Sequence, residues 1–151
     1  MKHLLILTIG VSLLISLPVM ADQAADEAAI REVIKQGIAT WNKHDSQAHL
    51  EVYVEDYENW EGTIKGRTVH EKNYAETWGL HKESQFKLLD EIGIIFVTPD
   101  VAIYKARVEA TGFVDEGGKT RPPFKRIGAW VLSKNDGKWL VSAIFSRTIE
   151  E

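Results

Sequence analysis

Apolar residues recur at helical spacing along the segment that follows residue 21. Between Asp26 and Trp41, apolar side chains lie three or four residues apart, so that they share one face of a helix. Charged residues occupy the positions between them. This pattern predicts an amphipathic first helix whose buried stripe consists of Ile30, Val33, Ile34, Ile38 and Trp41.

Two further helices are predicted before residue 83. Asp45 can cap the start of a short second helix, because its carboxylate accepts backbone N–H bonds, and this helix is expected to carry Leu50, Tyr53 and Val54. The run from Thr68 to Glu71 has the Thr-x-x-Glu form of a capping box, which predicts a third helix that continues to about Lys82.

The second half of the chain has the composition of β-strands. Here β-branched and aromatic residues dominate, and turn signals such as Asn135-Asp136-Gly137 separate runs of about ten residues. Residues alternate between apolar and charged along these runs, which is typical of an antiparallel sheet with one buried face. The predicted long strands are Phe86–Val97, Val101–Phe113, Phe124–Ser133 and Trp139–Arg147, and a short strand is predicted at Tyr57–Thr63.

The first 21 residues have the order of a secretory signal peptide. Lys2 and His3 precede an apolar run from Leu4 to Leu17, and the small residue Ala21 precedes an acidic stretch. The apolar core is shorter than the ~20 residues that cross a bilayer. We therefore expect residues 1–21 to be removed on export, and the protein to be periplasmic or secreted with no membrane attachment.

Composition restricts the remaining choices. A chain of 151 residues with 44% hydrophobic and 26% charged residues fits one soluble domain, here residues 22–151. The net charge of −4 offers no basic surface for nucleic acid. The sequence contains no cysteine, so stability in an oxidising compartment depends on the core alone. No histidine spacing indicates a metal site, and no glycine-rich phosphate loop is present, so neither metal nor cofactor is expected.

Five short motifs in this order resemble the SnoaL-like branch of the nuclear transport factor 2-like superfamily. The resemblance spans the whole mature chain. The motifs are Trp41-Asn42-x-x-Asp45, Tyr53-x-x-Asp56, Gly66-Arg67, Pro99-Asp100-Val101-Ala102 and Asp136-Gly137-Lys138-Trp139.

The resemblance implies a fold and a pocket. Such proteins are α+β cones, in which a curved antiparallel or mixed sheet wraps around three N-terminal helices in a cystatin-like roll. A pocket at the open end is the default binding site, and many members form homodimers through the outer sheet face. Their activities include isomerases, cyclases and dehydratases, so that membership alone confers no reaction.

One candidate catalytic residue comes from this resemblance. When the pattern of the related ketosteroid isomerases is transferred without gaps from Tyr53-x-x-Asp56, the general base falls on Glu61. The oxyanion-binding positions fall on Gly37 and Ala129, which have no side-chain donor. Because such a donor typically contributes ~3 to 4 kcal/mol, isomerase-type enolate chemistry is disfavoured, and Glu61 can equally be a solvated strand residue.

Other polar and aromatic residues are candidate ligand contacts by position. We assign Trp41, Trp130 and Trp139 to core packing and the remaining tryptophans of the mature domain to the pocket. Strand register decides which of the polar candidates face inward. The candidates are Trp60, Trp78, Tyr53, Tyr74, Tyr104, Arg126 and Arg147.

Three functions remain open from the sequence. The first is an exported protein that binds a small, largely apolar molecule without altering it. The second is a cofactor-free lyase, isomerase or cyclase in which Glu61 moves a proton. The third is a dimerisation or protein-association domain whose interior is filled by its own side chains.

Overall fold

The computed structural model describes residues 16–58 and 65–149. In that part of the chain, no helix is both long enough and apolar enough to span a membrane. Three helices precede four strands, in agreement with the predicted order. The elements are α1 (Ser16–Asn42), α2 (Ser46–Leu50), α3 (Arg67–Leu80), β1 (Gln85–Thr98), β2 (Val101–Thr111), β3 (Phe124–Asn135) and β4 (Lys138–Ile149).

The four strands form one antiparallel sheet in the order β1-β2-β3-β4. Asn135 pairs with Lys138, so the β3-β4 loop consists of Asp136 and Gly137. Both loop residues have positive φ, 50° and 77°, which is the geometry that tight hairpins prefer. A single parallel bridge joins Tyr53 to Val141. The four predicted long strands are confirmed, and all pairings between them are antiparallel.

Bulges bend the sheet around α1. The β1-β2 register shifts at three points, and the β3-β4 register shifts between Val131 and Leu132. Such shifts bend a strand and increase its twist. The concave face is apolar, because alternate residues of β2 point into it; Ala102, Tyr104, Ala106, Val108 and Ala110 are all buried.

Polar contacts attach α1 to the sheet at two points, Asp26 and the C-terminal residue Asn42. Asp26 accepts hydrogen bonds from the Trp139 indole at 2.9 Å and the Lys134 ammonium at 2.6 Å. Burial by itself would raise the pKa of Asp26, but these two partners outweigh it and the pKa is lowered. At the C-terminal end of α1, the Asn42 side chain donates to the Phe86 carbonyl at 2.9 Å and accepts from the Phe86 amide at 2.8 Å. The Trp41-Asn42 motif therefore fixes where β1 begins.

The helix boundaries differ from the predictions at two points. α1 begins at Ser16, before Asp26. Asp45 caps α2 as predicted, through a 3.0 Å bond from the Ala48 amide, but α2 ends at Leu50. Tyr53 therefore lies beyond the helix, where it pairs with β4 instead; sheet pairing overrides a weak local helical pattern.

The predicted capping box is wrong. α3 begins at Arg67 with Gly66 as its N-cap, and no side chain caps it. Thr68 lies inside the first turn, so its hydroxyl is past the capping position. Arg67 instead donates to the Tyr53 carbonyl at 2.6 Å, which ties α3 to the preceding segment. Of the predicted strand at Tyr57–Thr63, Glu58 pairs with Lys65 in an isolated bridge, and residues 59–64 lie outside the described part.

Candidate functional site

A cavity of about 230 Å³ lies between α1 and the concave face of the sheet. An apolar cavity of roughly 150 Å³ is enough to bind benzene, so this volume accommodates a molecule with one aromatic ring and a short substituent. Most of its walls are apolar. The apolar lining consists of Val33, Ile34, Gly37, Ile38, Trp41, Val52, Phe86, Val108, Gly128, Trp130, Val141 and Ile144.

Two glycines create space in these walls. Gly37 lies in the middle of α1, where a Cβ would make only an ordinary 3.6 Å contact with Val52. A larger residue at 37 would extend into the cavity. Gly128 lies under the indole of Trp130, and a Cβ there would come within 2.8 Å of the ring. The absence of a side chain at 128 therefore leaves the room that the Trp130 ring occupies in the wall.

A histidine and two tyrosines form a hydrogen-bonded chain at the cavity wall. His49 is buried, and its Nδ1 lies 3.1 Å from the Gly37 carbonyl and 3.0 Å from the Thr40 hydroxyl. The Gly37 carbonyl can only accept, so Nδ1 carries the proton and Nε2 accepts. Tyr53 then donates to Nε2 at 3.2 Å. Tyr53 is also hydrogen-bonded to Tyr74, which extends the chain to a third side chain.

Burial holds the hydrogen-bonded side chains His49, Tyr53 and Tyr74 in their neutral forms. Desolvation lowers the pKa of His49 to about 4, against the opposing effect of the Gly37 carbonyl. Desolvation also raises the pKa of Tyr53 and of Tyr74. At neutral pH, His49 is therefore a weak base and both tyrosines are weak acids. These three side chains are therefore suited to forming fixed hydrogen bonds with a bound molecule rather than to transferring protons.

Arg126 places a positive charge in the same cavity. It points inward from β3, between Val108 of β2 and Thr148 of β4. Its Nη2 donates to the Ser146 hydroxyl at 2.7 Å, and Ser146 also lines the cavity. Burial, together with the charge of Arg121, lowers the pKa of Arg126. The guanidinium nevertheless stays charged at neutral pH, since arginine titrates far above 7.

The predicted site residues separate into three groups. Tyr53, Tyr74 and Arg126 line the cavity. Trp60 and Glu61 lie outside the described residues. The other three do not line the cavity: Trp78 is buried behind Trp41, Tyr104 is buried in the core against Trp130, and Arg147 is exposed on the outer face of the sheet.

The tryptophans divide between core and cavity differently from the prediction. Trp41 and Trp130, assigned to the core, line the cavity, whereas Trp78 does not. Trp139 is core as predicted, with 2% of its surface exposed. Trp41 contacts four other aromatic rings within 6 Å, among them Trp78 at 5.3 Å and Phe86 at 5.1 Å. Trp41 therefore belongs both to the core and to the cavity wall, because its ring packs against other aromatic rings and also lines the cavity.

His49 is the residue that the sequence analysis missed. It lies beside a predicted helix corner among polar residues, a position that does not indicate a place in the pocket. Its four-residue spacing from Tyr53 is a signal that could have been used, because such spacing brings side chains together where the backbone is helical or turned. Among the described residues, no group of three or more histidines and acids could hold a metal ion.

The chain was compared with protein families, curated proteins and solved structures. No family model and no curated protein matches it. Solved structures match over most of the chain. One is a hexachlorocyclohexane dehydrochlorinase, LinA-type3 from Novosphingobium barchaimii LL02, with a TM-score of 0.75 and 18% identity over 87% of this chain and 91% of that chain.

Two other solved structures are similar to the same extent. A scytalone dehydratase-like protein from Novosphingobium aromaticivorans DSM 12444 has a TM-score of 0.70 and 18% identity, over 87% of this chain and 89% of that chain. An uncharacterised protein with a cystatin-like fold from Caulobacter vibrioides has a TM-score of 0.72 and 15% identity, over 82% of this chain and 89% of that chain. Taken with the helices and the curved antiparallel sheet, these matches show that the chain has a cystatin-like α+β fold.

Proposed function

We propose that this chain is an exported protein of the SnoaL-like branch that binds a small, largely apolar molecule in the central cavity. The observation that carries the proposal is the cavity of about 230 Å³ with its mainly aromatic and aliphatic walls. Burial of apolar ligand surface is the main favourable term at such a site. Tyr74, Tyr53 and Arg126 supply the few polar contacts that orient a ligand.

The neutral state of the hydrogen-bonded chain favours binding over catalysis. A general base works best when its pKa lies near the working pH, but the pKa of His49 lies at about 4. The raised pKa of Tyr53 and Tyr74 disfavours tyrosinate formation as well. These three groups are therefore more useful as hydrogen-bonding partners for the ligand.

The first test blocks the cavity from α1. Gly37→Leu should keep the fold, because residue 37 faces open cavity beyond Val52, and leucine favours helix more than glycine does. Native mass spectrometry of protein purified from its own host should show a bound small molecule on the wild type, and isothermal titration should show binding of indole as a probe. We expect Gly37→Leu to reduce the amount of co-purified molecule and the affinity for indole by at least roughly tenfold each. For the affinity, tenfold corresponds to about 1.4 kcal/mol of binding free energy.

Gly79→Leu is the matched control for that variant. Gly79 is an exposed residue of α3 with nothing within 4 Å of an added Cβ, so leucine there changes helix propensity without reaching the cavity. Its ligand binding should equal that of the wild type. Binding that survives in Gly37→Leu would place the ligand elsewhere and remove the proposal.

Export and dimerisation form part of the proposal. Residues 1–21 support export by their order of basic, apolar and small residues. Pairing with a second copy is supported by the outer sheet face, where Ile95 and Phe145 are about half exposed, at 47% and 49%. The same native mass spectrum tests both properties. The mass of the chain shows whether residues 1–21 have been removed, and the mass of the assembly shows whether two copies pair.

A cofactor-free lyase is the second candidate. Two proteins with the same fold carry the names of a dehydrochlorinase and a dehydratase, and both names describe eliminations, which need a base. Glu61 is the proposed base here. If the cavity is catalytic, Glu61→Gln should lower turnover of the co-purifying molecule by roughly 10²- to 10⁴-fold while the unfolding midpoint stays unchanged, as followed by NMR of the ligand and by thermal denaturation. Unchanged ligand chemistry together with lost stability would assign Glu61 a structural role.

A further inference from the structure

Arg126 is a charged residue in the otherwise apolar row of β3 side chains that runs from Phe124 to Leu132 on the concave face. The β3 side chains that alternate with it on the concave face belong to Phe124, Trp130 and Leu132, with Gly128 between them. Every one of these positions pairs with a buried residue of β2. A guanidinium at this position has no role in core packing that an apolar residue could not fill better.

The arginines of α1, α3 and β2 have carboxylate partners. Arg31 forms a two-pronged pair with Glu91, at 2.9 and 3.0 Å, and Arg107 pairs with Asp90 at 2.7 Å. Arg67 lies 3.4 Å from Glu55. Within residues 16–58 and 65–149, Arg126 has no carboxylate within 4.0 Å, and its one hydrogen bond goes to Ser146.

Arg126 is half-buried, and one of its unused donors is shielded from solvent. Its Nε is buried and has no hydrogen-bond partner in the described part of the chain. An unpaired charge in such a place is costly, and an anion that supplies the missing acceptors recovers that cost. Burial lowers the pKa of Arg126, and the positive charge of Arg121 lowers it further, so Arg121 adds to the positive potential at this position.

We propose that the ligand of the central cavity is a carboxylic acid, and that Arg126 is the specificity-determining residue that binds its carboxylate. This inference rests on the proposed function, since it names the chemical class of the molecule that fills the cavity. A carboxylate matches the planar, forked arrangement of guanidinium N–H groups. Ser146 holds Nη2, which fixes the orientation of the fork while other N–H groups remain for the ligand.

The size and lining of the cavity define the rest of the molecule. About 230 Å³ suits one ring or a branched aliphatic chain beside the carboxylate. Trp130 and Phe86 provide aromatic surface for that part. A phosphate ester is a poorer match, because a dianion needs more donors than one guanidinium and one hydroxyl supply.

The test compares an acid with its neutral isostere. Isothermal titration of the full mature protein with 3-phenylpropionate and with 3-phenylpropanamide should give at least roughly tenfold tighter binding of the acid. In Arg126→Met, the acid should lose roughly 30-fold in affinity and the amide no more than about threefold. Thermal unfolding of Arg126→Met should occur at the same or a higher temperature, since a half-buried charge without a carboxylate partner is removed.

Two further variants separate charge from structure. Arg147→Met removes an exposed arginine on the outer face of the neighbouring strand, and it should keep the full preference for the acid. Arg126→Lys keeps a positive charge without the fork, and it should keep part of the preference. A wild type that binds the amide as well as the acid, with no change in Arg126→Met, would overturn the carboxylate proposal and leave the pocket intact. Failure of the wild type to bind acid, amide or indole would overturn the proposed function itself.

Discussion

Replacing Gly112 with alanine is expected to cost roughly 3 kcal/mol or more of unfolding free energy, the largest loss we expect from any single methyl group in this chain. Gly112 follows β2 with a φ of 72°, which disfavours any L side chain. An added Cβ would also overlap the backbone carbonyl of Glu83. Because the overlap is with backbone atoms and not with a flexible side chain, the end of β2 and the segment just before β1 would have to separate. Urea denaturation followed by circular dichroism measures the loss.

Gly118→Ala separates the two causes of that loss. Gly118 has a similar φ of 77°, but nothing lies within 4 Å of its added Cβ. Only the conformational strain remains, which corresponds to about 1 kcal/mol. If Gly112→Ala were no more destabilising than Gly118→Ala, close packing against Glu83 would not be what selects glycine at 112.

Acidification from pH 7 to pH 4.5 is expected to remove about 2 to 3 kcal/mol of stability through His49 alone. The pKa of His49 is about 4 in the folded protein against 6.5 for the ordinary side chain. Because the unfolded chain binds the proton more tightly, stability is complete above pH 6.5 and is lost as the pH falls towards 4. Urea denaturation at a series of pH values measures this slope, and NMR of the His49 ring measures its midpoint.

His49→Gln is the comparison for this effect. A glutamine oxygen can still accept the hydrogen bond from Tyr53, but it does not titrate in this range. The difference in unfolding free energy between wild type and variant should therefore shrink as the pH falls from 6.5 to 4. A difference that stayed constant over this range would mean that His49 binds its proton as readily in the folded protein as in the unfolded chain, contrary to its burial and to the acceptor role of Nε2.

The extent to which the site could be predicted differs from residue to residue. Arg126 and Tyr53 were named as candidates from position and resemblance, and both line the cavity. Tyr104 was named on the same grounds, yet it packs into the core with 1% of its surface exposed. Both Tyr104 and Arg126 point to the concave face. What differs is which side chains pack over each: Tyr104 lies in the core cluster and Arg126 in the cavity wall. No local pattern in β2 or β3 contains that information.

The roles of Trp41 and His49 also depended on packing between elements. The helical stripe predicted that Trp41 faces inward, and it does. Whether an inward ring meets another side chain or an empty space depends on its neighbours, and here the missing side chain at Gly37 leaves the space. His49 became a buried partner of Tyr53 only because α2 ends at Leu50 and the chain turns to pair with β4.

Local patterns in the sequence determined the helices, the four long strands and their antiparallel order, since periodicity and turn residues act over a few neighbours along the chain. The Asp45 cap and the Asp136-Gly137 hairpin are of this kind. The tertiary structure alone decided the volume of the cavity, the neutral state of His49 and the unpaired charge of Arg126. Each of these depends on which side chains meet across the gap between α1 and the bent sheet, and residues far apart in the sequence set that gap.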